Sequence, residues 1–165
     1  MTAPDHLTLL LDAAENQARS VLIGTAEELI PVFLLQDAEG QDYLVATPFV
    51  GENADELAHV KDAVAYAVRR FIKTKKIVRY SFLSEGWLIV RPPGTEYDAG
   101  PPPSEAEDRV EVVLAIATDG VDYQARRWRI KRAGKRCAAL VLDSMDDQKG
   151  PGGGRFDHLL TPEMH

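Results

Sequence analysis

Cysteine is almost missing: Cys137 is the only one in 165 residues. An internal disulfide is therefore impossible, and this usage suits a reducing cytoplasm, where the protein is expected to reside. No apolar run approaches the ~18 residues that cross a membrane, so no membrane partner is expected. The N-terminus carries Asp5 and Asp12 without a cluster of positive charge, which is unlike a signal peptide. Histidine is also scarce. His6, His59, His158 and His165 stand far apart with no His-x-x-x-His spacing, so a zinc set is not expected. The acidic run Asp143-Ser144-Met145-Asp146-Asp147 lacks the alternation and the glycine of a calcium loop. Neither a metal nor a cofactor is expected.

Familiar catalytic signatures are absent as well. There is no Gly-x-Ser-x-Gly elbow, and Ser84 has no histidine near it in sequence. The stretch Gly150–Arg155 lacks the Lys-Ser/Thr ending of a phosphate loop and has no flanking strand and helix. Cys137 lies beside Lys135 and Arg136, which could lower its pKa, yet a single cysteine reads better as a small packing residue.

What is present is an ordinary globular composition, 45% hydrophobic and 27% charged, at a length that suits one domain. The net charge of −7 is unevenly spread. Positions 69–79 hold six Lys/Arg and positions 126–136 hold seven, with no acid in either window. The remaining residues carry all 26 Asp/Glu and only six basic side chains. Charge of one sign gathered in this way points to an anionic partner or to internal pairing.

The longest run rich in β-branched and aromatic residues is Lys76–Arg91, which reads as one strand interrupted at Gly86, where a bulge is expected. Before it, Leu7, Leu10, Leu11, Ala14 and Ala18 recur at helical spacing and predict a helix from Asp5 or Thr8 to about Ile23. A hairpin follows, with strands at Pro31–Gln36 and Tyr43–Thr47 around the turn Asp37–Gly40. A second helix is capped by Asn53 and Glu56, with Leu57, Val60, Val64, Val68 and Phe71 as its buried stripe. Bases at its C-terminal end match the macrodipole and account for the first basic window. Residues 92–107 hold five of the ten prolines and read as a long exposed loop. Strands at Arg109–Thr118, Tyr123–Arg132 and Arg136–Asp143 complete a meander, with turns at Asp119-Gly120 and Ala133-Gly134.

The predicted fold is α+β, in the order α-β-β-α-β-β-β-β, with two helices packed on one face of a largely antiparallel sheet. Residues 1–143 form the domain, and residues 144–165 a Gly-rich flexible tail from which Phe156, Leu159 and Leu160 dock back or meet a second copy.

Ser84-Glu85-Gly86-Trp87, then Pro103-Ser104 and Asp108-Arg109-Val110-Glu111-Val112, form a pattern spread over roughly Pro31–Asp143. In this the chain resembles a group of uncharacterised small bacterial and phage-type proteins. Those carry a Ser-Glu-small-Trp strand followed by a Pro-Ser…Asp-Arg-x-Glu-Val strand. The resemblance implies one fold unit and no mechanism.

Two clusters carry candidate chemistry. Glu85 interrupts an apolar strand on the same side as Trp87, and Arg109 and Glu111 follow on the next strand. Such a Glu-Arg-Glu group can work as an acid/base site or, as an ion pair, set strand register, with Trp87 mostly buried beside it. In the second basic window, strand alternation places Arg127, Arg129 and Lys131 on one face and Arg126, Trp128 and Arg132 on the other, with Lys135 and Arg136 beyond the turn. Basic side chains around an exposed aromatic grip phosphates and stack bases, whereas a pI near 5.1 argues for an acidic protein partner or a homodimer. The favoured reading is a non-enzymatic protein-interaction domain, followed by nucleic-acid binding and then by an enzyme.

Overall fold

The structure, a computed structural model, describes residues 5–89, 109–149, 156, 159 and 160. Helix α1 (His6–Leu22) starts where the Asp5 carboxylate accepts the Leu7 N–H at 3.1 Å. Its apolar positions three and four apart, Leu7, Leu10, Leu11, Ala14, Ala18 and Leu22, are all buried. It ends at Ile23, and Gly24 then takes a positive φ of 78° that turns the chain out of the helix. Helix α2 (Ala54–Lys75) is capped by Asn53, whose side chain accepts the Glu56 N–H at 2.9 Å. The return bond of the expected capping box goes one residue further back, from the Glu52 N–H to Glu56. The stripe on α2 is narrower than its periodicity suggested. Val68 and Ile72 are buried, while Leu57 and Val60 at the N-terminal end stay half-exposed.

The six strands are β1 (Val32–Asp37), β2 (Asp42–Ala46), β3 (Ile77–Ile89), β4 (Arg109–Thr118), β5 (Asp122–Ala133) and β6 (Arg136–Lys149). They form one antiparallel sheet in the order β2-β1-β3-β4-β5-β6. The α+β class, the element order and the antiparallel sheet are those expected, and each helix packs on the sheet through its own cluster. Alternate residues of a strand face opposite ways. Leu34, Leu83, Val113, Ala115, Trp128 and Leu140 therefore meet α1 in one cluster. Their neighbours Phe33, Leu35, Tyr80 and Phe82 meet Val68, Ile72 and Phe71 of α2 in a second. Tyr80 anchors that second cluster: its hydroxyl donates to the Phe156 carbonyl, and the Leu159 N–H donates to it at 3.2 Å.

Two strand expectations change. No bulge occurs at Gly86; the β3–β4 ladder is continuous from Tyr80 to Ile89, because Gly86 sits opposite Val112 in open register. The irregularities fall instead at Gln36/Asp37 and, in β5–β6, at Arg127/Trp128 and Lys131/Arg132. β6 also runs past Asp143 to Lys149, because the first half of β5, Asp122–Arg127, offers it a hydrogen-bonding edge. The 92–107 loop and the Gly150–Arg155 stretch lie outside the described residues.

Candidate functional site

The segment between α1 and β1 shapes one end of the sheet. The Gly24 N–H donates to the Cys137 carbonyl at 2.8 Å, and the Cys137 N–H donates to Thr25 at 2.9 Å, which ties the segment to the edge of β6. It then crosses to β1, and on the way the Leu29 N–H donates to Glu85 at 2.8 Å. Glu85 shares the α1 side of β3 with Leu83, and the period of two puts Trp87 on that side as well, facing Glu111 across the β3–β4 ladder. A recess of about 260 Å³ opens here, walled by Trp87, Ile130 and Gly86 and lined by Glu28, Glu85, Glu111 and Arg132.

The two carboxylates expected together, Glu85 and Glu111, line one recess, and among the described side chains Arg132 supplies the positive charge there. Its Nε and Nη2 both reach one oxygen of Glu111 at 2.7 Å, and Nη1 donates to the Lys135 carbonyl at 2.7 Å. Arg109 pairs through its backbone with Ile89; its side chain lies outside the described residues. Arg132 keeps the alternation of β5, on the same face as Trp128 and Ile130, and this carries it to Glu111 on the neighbouring strand; the irregularity at Lys131/Arg132 puts its extra residue, Ala138, on β6. Trp87 is a correction: it is 39% exposed rather than mostly buried.

Burial raises the pKa of Glu85 above its ordinary value; the Leu29 N–H opposes this, Glu28 reinforces it, Arg132 opposes it and Glu111 adds to it. The hydrogen bond to Glu111 raises Arg132 in turn. Cys137 has basic neighbours in sequence that could lower its pKa, yet it shifts upward, as suits the packing residue it was read as. It is buried against α1, and desolvation outweighs the pull of Arg132.

The basic hairpin is largely neutralised within the molecule. Arg126 is buried, with Nη1 2.7 Å from Asp12 and 3.8 Å from Glu15 on α1. Asp143 is the extra residue of the irregularity at Arg127/Trp128, and its carboxylate takes Arg127 at 3.0 Å and Arg129 at 3.3 Å. Burial would raise its pKa, but the hydrogen bonds from Arg129 and Arg127 hold it below its ordinary value. Trp128, expected as a stacking aromatic, is fully buried under α1. Lys131, Lys135 and Arg136 remain exposed, with no ion pair among the described residues. The two basic windows do not share a face: Ile77–Arg79 starts β3 near the Thr118–Tyr123 level, and the hairpin tip lies at the far end of the strands.

A larger groove of about 380 Å³ runs between α1 and the β1–β2 hairpin, rimmed by Leu9 and Leu44. Its polar side chains are engaged with one another: Gln36 donates to Asp42 at 2.8 Å and accepts from Arg79. Among the described residues no group of three or more His, Cys, Asp or Glu is placed to hold a metal, and no helix is long and apolar enough to cross a membrane.

In comparisons with known proteins, no family model, no curated protein and no solved structure matches the chain.

Proposed function

We propose that the chain is a non-enzymatic protein-binding domain that receives its partner at the sheet end around Glu85. One observation carries this reading: Trp87, 39% exposed, walls a recess lined by Glu28, Glu85, Glu111 and Arg132, and Ile30, 51% exposed, follows the Leu29 whose N–H donates to Glu85. Exposed apolar side chains bordered by polar groups are a usual mark of an interface. Both carboxylates that suggested acid/base chemistry have other work. Glu85 holds the crossing segment and Glu111 holds Arg132, which favours binding over catalysis. An acidic protein surface has Lys131, Lys135 and Arg136 to meet at the hairpin tip. Nucleic-acid binding loses its stacking residue with Trp128 buried and its grip with four arginines paired.

A photo-crosslinking residue at position 30 tests the reading, with one at position 50 as control, because Val50 is 74% exposed and remote from the recess. Irradiation in lysate of the source cell is expected to give a discrete protein adduct at position 30 alone. Equal labelling at both positions, or none at position 30, refutes the assignment of this surface.

A further inference from the structure

We infer that the partner is a second copy of this chain, with the β5–β6 tip of each copy inserted into the Glu85 recess of the other; this rests on the binding reading above. Among the described residues the recess holds three carboxylates, Glu28, Glu85 and Glu111, and one guanidinium, Arg132, so their charges sum to negative. Arg132 already spends its hydrogen bonds on Glu111 and on its own hairpin. Glu28 is exposed and makes no ion pair among the described residues. The recess therefore suits one more ammonium or guanidinium group.

The same end of the molecule displays such groups. Lys135 and Arg136 follow Gly134, whose positive φ of 66° forms the turn, and both are exposed. Within one copy Arg136 is held opposite Ala133 in the ladder, and neither Lys135 nor Arg136 forms an ion pair among the described residues. A second copy related by a two-fold axis can supply them. A two-fold interface needs a patch that complements itself, so a basic tip beside an acidic recess forms each contact twice. Ile23, bridged to Cys137 on β6, and Ile30, which follows the Leu29 bound to Glu85, are both exposed and add apolar area to the contact.

Sedimentation velocity across protein concentration and salt tests the inference. The wild type is expected to dimerise at low salt and to dissociate as salt screens the paired charges. Lys135→Glu with Arg136→Glu should raise the dissociation constant by about tenfold or more, as should Glu28→Lys with Glu85→Gln. All four positions are exposed or keep a hydrogen-bond acceptor, and circular dichroism of each variant confirms its fold. Mixing the two double variants should restore a heterodimer, because the acidic tip of one then meets the lysine of the other while the second pairing stays native. A wild type that is monomeric in every condition, or a mixture that stays monomeric, overturns the second copy as partner. Oligolysine added to such a monomer separates the two readings. A change in fluorescence that Trp87→Phe abolishes leaves the recess as a site for another basic protein, and no change removes both.

Discussion

At the residue scale, Glu85 concentrates the electrostatic cost of this end of the sheet. Its pKa is raised in the folded protein, first by burial, so the fold binds its proton more tightly than the unfolded chain does. The sign follows by linkage: the stabilising contribution is complete below the ordinary carboxylate value and is lost as pH rises through the folded value. At neutral pH the ionised carboxylate therefore costs stability. Glu85→Gln keeps an oxygen for the Leu29 N–H while removing the charge, so it is expected to melt above the wild type at neutral pH. The gap should close on acidification below the ordinary carboxylate range. Calorimetry of both proteins across that range checks this, and a gap independent of pH would contradict the assigned cause. Asp143 has the opposite sign: its lowered pKa stabilises the fold above the ordinary carboxylate range, and that contribution disappears as pH falls.

At the scale of elements, the end of α2 is strained. Lys76 occupies the left-handed region at φ 55°, and its N–H closes the helix on the Ile72 carbonyl. A side chain with a Cβ is disfavoured there, and glycine is the usual residue at this kind of helix end. Lys76→Gly is expected to stabilise the protein by about 0.5–1 kcal/mol, the strain relieved exceeding the flexibility gained in the unfolded chain. Urea unfolding midpoints measure it. A lower midpoint would show that the lysine side chain contributes a contact larger than the strain. β5 shows how one irregularity redirects chemistry. Because the ladder slips at Arg127/Trp128, one aspartate serves two arginines, and a cluster that looks like a binding surface becomes an internal ion-pair network.

On the scale of the whole molecule, the C-terminal region closes the second core. The Phe156 ring lies 5.6 Å from Phe33, 5.4 Å from Phe49 and 4.8 Å from Phe82, centroid to centroid, and Phe156 is buried. A flexible tail would leave Tyr80, Phe33 and Phe82 without their cover on the α2 side. Phe156→Ala is expected to cost about 3–5 kcal/mol, the range for large-to-small changes at buried aromatics. A loss under roughly 1 kcal/mol, the size of an ordinary surface change, would mean that the segment is dispensable.

The sequence by itself determined the elements, because each is written in local physics. Period 3.6 marks α1, a capping asparagine marks α2, and glycine turns at 120 and 134 separate β4, β5 and β6. It also made Glu85 and Glu111 neighbours in expectation, since two strands joined by a loop pair antiparallel. Only the tertiary structure decided where the cations go. Arg132 reaches Glu111 across the β4–β5 pair, Arg126 reaches Asp12 where α1 crosses the sheet, and Arg127 and Arg129 share Asp143 at a ladder slip; strand register, helix placement and slips have no local signature. The reach of β6 to Lys149 and the docking of Phe156 are of the same kind. Hydrogen-bond edges and apolar faces attract whichever distant segment completes them, and spacing along the chain does not record that choice.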